Sequence, residues 1–178
     1  QERQGIIASK AIAGICPTTE ANLGDGIFPT DEFLRENGTF AIGSDSHISV
    51  NPIEELRWLE YAQRLSMQQR AMLATSEQKS VGQNLWQKAA MGGAQSTNSN
   101  TGALAVGKQA DLLVLDDSQL RLFAHDDVHL LDSIIFASQQ NPVQDVMVNG
   151  QFVIRDKEHV QGQASGDSFA RLLAKLSA

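Results

Sequence analysis

The strongest constraint on this chain is a pair of short apolar runs, each followed by a polar loop and then a helix-like segment. The first extends from Gly5 to Ile15, where Ile6, Ile7, Ile12 and Ile15 punctuate Ala and Gly, and Cys16-Pro17 breaks it. Continuous apolar runs bounded by turn signals suit parallel strands covered on both faces, so a buried strand ending at Cys16 is expected. A long loop from Thr18 to Gly26 follows. Thr30 then caps a short helix through Arg35, with Asp31 and Glu32 favouring its positive end and Asn37-Gly38 stopping it. The second run, Thr39-Phe40-Ala41-Ile42-Gly43, leads straight into Ser44-Asp45-Ser46-His47. Asn51 as N-cap, Pro52 at the first helical position and Glu54 reaching back as in a capping box open another helix. Trp58, Tyr61, Ala62 and Leu65 share one face of it and Arg57, Glu60 and Arg64 the other, so the aromatic face is expected to cover a sheet.

Two strand–loop–helix units in succession are the grammar of an α/β fold with a parallel sheet. Two units are too few to bury such a sheet, so its neighbours must come from a longer chain or from other copies. The start, Gln1-Glu2-Arg3-Gln4-Gly5, has neither an initiator Met nor the plan of a signal peptide, and it reads as the middle of a longer chain. From Met67 to Gln95 the texture is helical, and Ser96 to Thr101 is a polar loop. The periodicity then changes. Gly102–Gly107 and Ala110–Leu115 read as short strands, and Asn149-Gly150 between two β-rich runs is a strong hairpin signal. Leu130–Ala137 fits helix or strand, and Phe169–Leu176 reads as a closing amphipathic helix. The expected division is therefore 1–101, an α/β part, and 102–178, a β-rich part.

Charge narrows the function classes. The net charge is −7 with a pI near 5.0, and no Lys/Arg cluster offers a footprint for nucleic acid. Cys16 is the one cysteine, which rules out an intrachain disulfide and a thiolate zinc cluster, and suits a reducing cytoplasm. No apolar run approaches the roughly 20 residues of a membrane span.

Among residues able to carry chemistry, Asp45 leads. It follows a buried strand on a loop preceding a helix, where barrels of this grammar place their chemistry. A carboxylate there can ligate a cation and accept a proton from water. An Asp within Ser-Asp-Ser also suits a simple turn. His47, two residues on, can act as a proton carrier or ligand, or as a loop histidine bonded to backbone. Glu20, Asn22 and Asp25 sit on the other strand-terminal loop and can bind a polar substrate. Gly24 and Gly26 lack the following Lys-Ser or Lys-Thr of a phosphate loop. His125 and His129 have helical ligand spacing without the accompanying Glu of a metalloprotease helix, and His159 reads as a surface residue. No Gly-x-Ser-x-Gly elbow is present, and Cys16 reads as a small buried apolar residue.

Three segments in order resemble the amidohydrolase superfamily. Ile42-Gly43-Ser44-Asp45-Ser46-His47 resembles its last barrel strand, Gly102 to Asp116 its return to a small β-sandwich, and Val148-Asn149-Gly150 with Phe152-Val153 the matching hairpin. Cys16-Pro17-Thr18-Thr19-Glu20 departs from the Cys-Pro-x-Ser-Asn of aminohydrolases acting on guanine, triazines or adenosyl compounds. With Ser44 to Ser49 and Glu54 to Tyr61, it is similar to the formimidoylglutamate deiminases, which turn N-formimino-L-glutamate into N-formyl-L-glutamate and ammonia.

The resemblance implies the C-terminal part of a (β/α)8 TIM-type barrel plus strands of a small β-sandwich. It implies one zinc per active site, or another divalent metal, held by an upstream His-x-His pair, a later His and Asp45. Asp45 would also take the proton of the attacking water. Thr19, Glu20 and His47 are assigned to the substrate. The partners implied are a small-molecule substrate and a second copy in a homodimer, with neither nucleic acid nor membrane. The alternatives are an aminohydrolase for a guanine-like or adenosyl substrate and a non-catalytic binding module. No His-x-His occurs in the chain, so by itself it is expected to be catalytically silent and without stoichiometric zinc, and its unpartnered barrel strands should make it poorly soluble or prone to associate.

Overall fold

The computed structural model describes residues 1–116 and 127–176. Helix α1 (Glu2–Ser9) leads into strand β1 (Ile12–Ile15), helix α2 (Pro17–Leu23) and helix α3 (Thr30–Arg35). Strand β2 (Thr39–Ile42) and the long helices α4 (Pro52–Met67) and α5 (Val81–Ser96) complete the first half. β1 and β2 are parallel, with Ile15 opposite Ile42. The fold is α/β, as the sequence grammar requires.

Several local expectations need correction. The first apolar run is not one strand, because its opening residues wind into α1. Lys10 enters the left-handed region at φ 57° and closes that helix, while Ala11 N–H bonds Ile6 O at 3.2 Å. The loop after Cys16 is helix α2, started by Pro17 in its first turn and stopped by Gly24 at φ 75°. Thr30 is the first residue of α3 and not its cap; its hydroxyl donates to Phe28 O at 3.3 Å.

Asn51 does cap α4, accepting from the N–H groups of Ile53 and Glu54 at 3.0 and 3.4 Å. Glu54 receives the Ser49 hydroxyl instead of reaching back to Asn51. The buried face of α4 is Ile53, Leu56, Leu59 and Gln63, together with the carboxylates Glu55 and Glu60. Trp58 and Leu65 are exposed, and with Ala62 and Ile27 they line a groove beside α2. Tyr61 stacks on Phe136 with ring centroids 5.7 Å apart. Hydrophobicity alone picked the wrong face because the two buried acids are satisfied by backbone donors distant in sequence. Glu60 accepts Met72 N–H at 3.0 Å and Leu73 N–H at 2.9 Å, and it pairs with Arg64 at 2.6 Å.

Those bonds also explain why the helical texture from Met67 to Gln95 is interrupted. Gln68 turns left-handed, a loop follows, and Ser80 restarts the chain as the cap of α5, accepting Gln83 N–H at 3.1 Å. Phe33, Phe40, Leu56 and Leu85 form the centre of the core with Ile134 and Ile135. α5 lies directly on β2, and a Cβ at Gly92 would fall 1.8 Å from Phe40 O.

The remaining strands are β3 (Leu112–Leu115), β4 (Val143–Val148), β5 (Gln151–Arg155) and β6 (Glu158–His159), antiparallel in that spatial order. Gly102–Gly107 forms no strand. Leu130–Ala137 is helical, ending in a π-helical turn whose Ile135 O and Ser138 O receive the Arg57 side chain. Asn149 at φ 50° and Gly150 at φ 78° make the expected hairpin turn. The closing helix runs from Gly162 to Leu176, longer than its expected Phe169 start. Among the described residues no helix is long and apolar enough to cross a membrane.

Candidate active site

The carboxyl ends of β1 and β2 lie side by side, joined beyond the last paired residues by Gly43 N–H to Ile15 O at 3.1 Å. Their loops therefore meet. Cys16 leaves β1, Gly43 to His47 leave β2, and a Cβ on Gly43 would stand 3.5 Å from the Cys16 sulfur. Burial pushes the Cys16 thiol above its ordinary range, and the negative charges of Asp45, Glu20 and Glu55 push it further. It is a neutral thiol in a cluster of acids, not an activated nucleophile.

Asp45 sits at the tip of the β2 loop, exposed, at φ 47°. The left-handed region is unfavourable for a residue with a side chain, though Asp and Asn tolerate it best. Its carboxylate makes no hydrogen bond or ion pair among the described residues. The chain closes a turn around it, with His47 N–H bonding Ser44 O at 3.0 Å.

The other sequence-predicted residues are placed as follows. Thr19 is 2% exposed, donating its hydroxyl to Ser44 O at 2.6 Å and accepting His47 N–H at 3.0 Å. Glu20 accepts Cys16 N–H at 2.8 Å and so closes the start of α2. His47 is half-buried, and its Nδ1 accepts Ser49 N–H at 3.1 Å. That bond occupies the Nδ1 lone pair and puts the ring proton on Nε2 in the neutral form. Thr19, Glu20, Asp45 and His47 thus belong to one cluster. Asn22 on α2 and Asp25 just past its end are exposed. His129 is exposed beside Asp132 at 3.3 Å, His159 is exposed, and His125 lies outside the described residues.

Glu55, within the Glu54–Tyr61 segment, has a role that the sequence does not show. It is 1% exposed on α4, accepts Thr18 N–H at 3.0 Å and also receives the Thr18 hydroxyl. Nothing in its neighbours marks it as different from a solvated helix acid. Its effect is to fasten the first turn of α2 to α4, on the two sides of the Asp45 turn.

The donor set can be tested against a metal. Among the described residues no group of three or more His, Cys, Asp or Glu side chains is gathered as a ligand set. Asp45 presents an unengaged oxygen donor, Cys16 is held as a thiol, and the His47 Nδ1 lone pair is occupied. The chain therefore offers one carboxylate, which fits a site completed by ligands from outside these residues.

Residues 3–153 match the model of the Amidohydrolase family. The chain is 46% identical over 175 residues to the formimidoylglutamate deiminase of Pseudomonas aeruginosa, covering 98% of itself and 39% of that protein. A crystal structure of an amidohydrolase from Brucella melitensis superposes with a TM-score of 0.87 at 37% identity, over 99% of this chain and 39% of that one. A zinc-bound adenosine deaminase from Xanthomonas campestris shares the fold, with a TM-score of 0.82 at 23% identity, over 98% and 39% of the two chains. The chain thus spans about two fifths of the length of the curated relative it matches.

Proposed function

The chain belongs to the amidohydrolase family, and from that premise we propose that it is the C-terminal portion of a formimidoylglutamate deiminase. The observation that carries this reading is the 46% identity over 98% of the chain, which includes the Thr18-Thr19-Glu20 helix start and the Ser44–Ser49 turn. In this reading residues 1–101 are the last βα units of a TIM-type barrel with trailing helices. Residues 102–178 are strands of a small β-sandwich with a closing helix. The whole enzyme is a cytoplasmic homodimer acting on a small amidine. Water adds to the formimino carbon of N-formimino-L-glutamate, the carbon–nitrogen bond breaks, and N-formyl-L-glutamate and ammonia leave.

Zinc, when bound, supplies Lewis acidity that brings a water's pKa toward neutrality. Asp45 is the ligand this chain contributes, and as an ionised carboxylate it accepts the proton that the attacking water gives up. The proton then passes to the departing nitrogen. Glu20, at the start of α2, and His47, through Nε2, stand beside that carboxylate to contact substrate. The fasteners Thr18, Thr19 and Glu55 act on the loops and not on the reacting carbon.

The test is ammonia release by the whole zinc-loaded enzyme on N-formimino-L-glutamate, guanine and adenosine. Turnover on the formimino compound, and at most trace turnover on the purines, is expected. Preference for a purine would move the enzyme to another branch of the family, and no turnover with full metal would favour a binding module. This chain by itself is expected to release no ammonia and to hold no stoichiometric zinc.

A further inference from the structure

Asp45 stands in an unfavourable backbone conformation at the tip of an exposed loop. Ile48 and Val50, which follow it, are 96% and 80% exposed, so side-chain packing does little to hold the loop in shape. A left-handed conformation is unfavourable for a residue with a Cβ, and it persists where the surroundings over-determine it. What over-determines it here comes from helix α2.

We propose that Thr19 is the positioning residue for Asp45: its buried hydroxyl bridges the backbone on both sides of Asp45 and holds that residue in its left-handed turn. A threonine hydroxyl has one hydrogen to give and two lone pairs to receive with. The hydrogen goes to Ser44 O at 2.6 Å, and a lone pair takes His47 N–H at 3.0 Å. The same His47 N–H also reaches Ser44 O at 3.0 Å, so three polar groups close a ring under Asp45 and Ser46. Thr19 is itself immobilised. The preceding Thr18 is bound through its N–H and its hydroxyl to the buried Glu55 carboxylate of α4, and Pro17 stiffens the first turn. The route runs from Glu55 to Thr18 and Thr19, across to Ser44 and His47, and so to Asp45. With its hydrogen committed to Ser44 O and its side chain 2% exposed, Thr19 acts through Asp45 rather than on a ligand.

This inference rests on Asp45 being the metal and proton residue, and the experiment separates the two claims. In the whole enzyme, Thr19→Val removes the hydroxyl at nearly constant shape, Thr19→Ser keeps it, and Thr19→Ala removes it without any risk of crowding. Zinc affinity is measured by competition with a chelator, kcat and KM by ammonia release, and folding by thermal melting. Partners that orient a metal ligand are worth about 10–100-fold in metal affinity or activity. Thr19→Val and Thr19→Ala are expected to weaken zinc binding and lower kcat by at least tenfold with KM within twofold, and Thr19→Ser to stay near wild type. Wild-type zinc affinity and kcat in folded Thr19→Val overturn the role of Thr19. Failure of both Val and Ala variants to fold also overturns it, since Thr19 would then be a determinant of the fold. Asp45→Asn with full zinc and full turnover overturns the reading of Asp45 instead.

Discussion

The parallel pair β1–β2 and the antiparallel sheet β3–β6 are both built of short strands, yet they are held by opposite means. The parallel pair lies under α4 and α5 with Ile15 and Phe40 nearly inaccessible, and long-range bonds from buried polar side chains set its loops. No strand residue of the antiparallel sheet is fully buried, and its shape is set by turns, Asn149-Gly150 and then Asp156-Lys157, all with positive φ. One half has its loops set by buried polar side chains far along the chain; in the other, local turns set β4–β6 and β3 joins through exposed long-range pairing. Asp45, the carboxylate proposed to carry the chemistry, sits in the half whose loops are set by buried polar side chains.

The largest effect should come from the layer where α5 meets β2. Gly92→Ala would drive a methyl to 1.8 Å from Phe40 O, and backbone must shift to admit it. A loss of about 3 kcal/mol or more is expected in the urea denaturation of the whole enzyme. Gly93 next to it has open space at its Cβ position, so Gly93→Ala should be neutral or gain up to about 1 kcal/mol from helix propensity. Equal midpoints for the two variants would break the contrast at its base.

Next in size is Glu55→Ala. It removes the buried acceptor of the Thr18 N–H and hydroxyl, a change worth about 1–3 kcal/mol. Because Thr18 adjoins the residue that holds the Asp45 turn, zinc affinity should fall along with stability. A variant that melts lower but binds zinc as tightly as wild type would show that the α2–α4 fastening supports the fold and not the site.

Gly150→Val in the other half should behave in the opposite way. Gly150 has φ 78° and free space around its Cβ position, so the penalty is conformational, roughly 1–2 kcal/mol. Stability should drop while kcat and KM stay unchanged. A changed kcat would mean that the two sheets are not independent.

The smallest effect concerns Cys16. Its raised pKa means that the folded chain holds the thiol proton more tightly than the unfolded chain does. That contribution is fully present below the ordinary thiol range and is lost as pH rises through the raised value. Alkylation of metal-free enzyme by iodoacetamide should therefore be slower near pH 8 than for a free thiol, which has a pKa of about 8.5. Asp45→Asn removes one of the negative charges acting on the sulfur and should speed the reaction. An unchanged rate would place Asp45 farther from Cys16 than the turn implies.

The same contrast explains what was legible in the sequence. Asn149-Gly150, the Asn51-Pro52 start of α4 and the strand ending before Asp45 rest on local signals, and each is in place. The helix α2 was also announced locally, by Pro17 and Gly24, but the polar residues between them read as loop. The buried face of α4 was not legible. A pattern of apolar residues selects Trp58 and Leu65, whereas Glu55 and Glu60 are drawn inside by Thr18, Met72 and Leu73, which no periodicity connects to them. The motif places Thr19 among the substrate-contact residues, and only the fold brings its hydroxyl to Ser44 and His47.

The central claim is that Asp45 is the carboxylate this chain gives to a metal and to a proton. The direct measurement is zinc stoichiometry and ammonia release for Asp45→Asn in the whole enzyme, beside a thermal melt. The Asp45 carboxylate makes no hydrogen bond or ion pair among the described residues, so the melt should be close to wild type. Zinc should be lost or strongly weakened, and turnover should fall by roughly 10²–10⁴-fold or more. A variant that retains one zinc per chain and turns over at the wild-type rate would contradict the account, and would make Asp45 an ordinary turn residue.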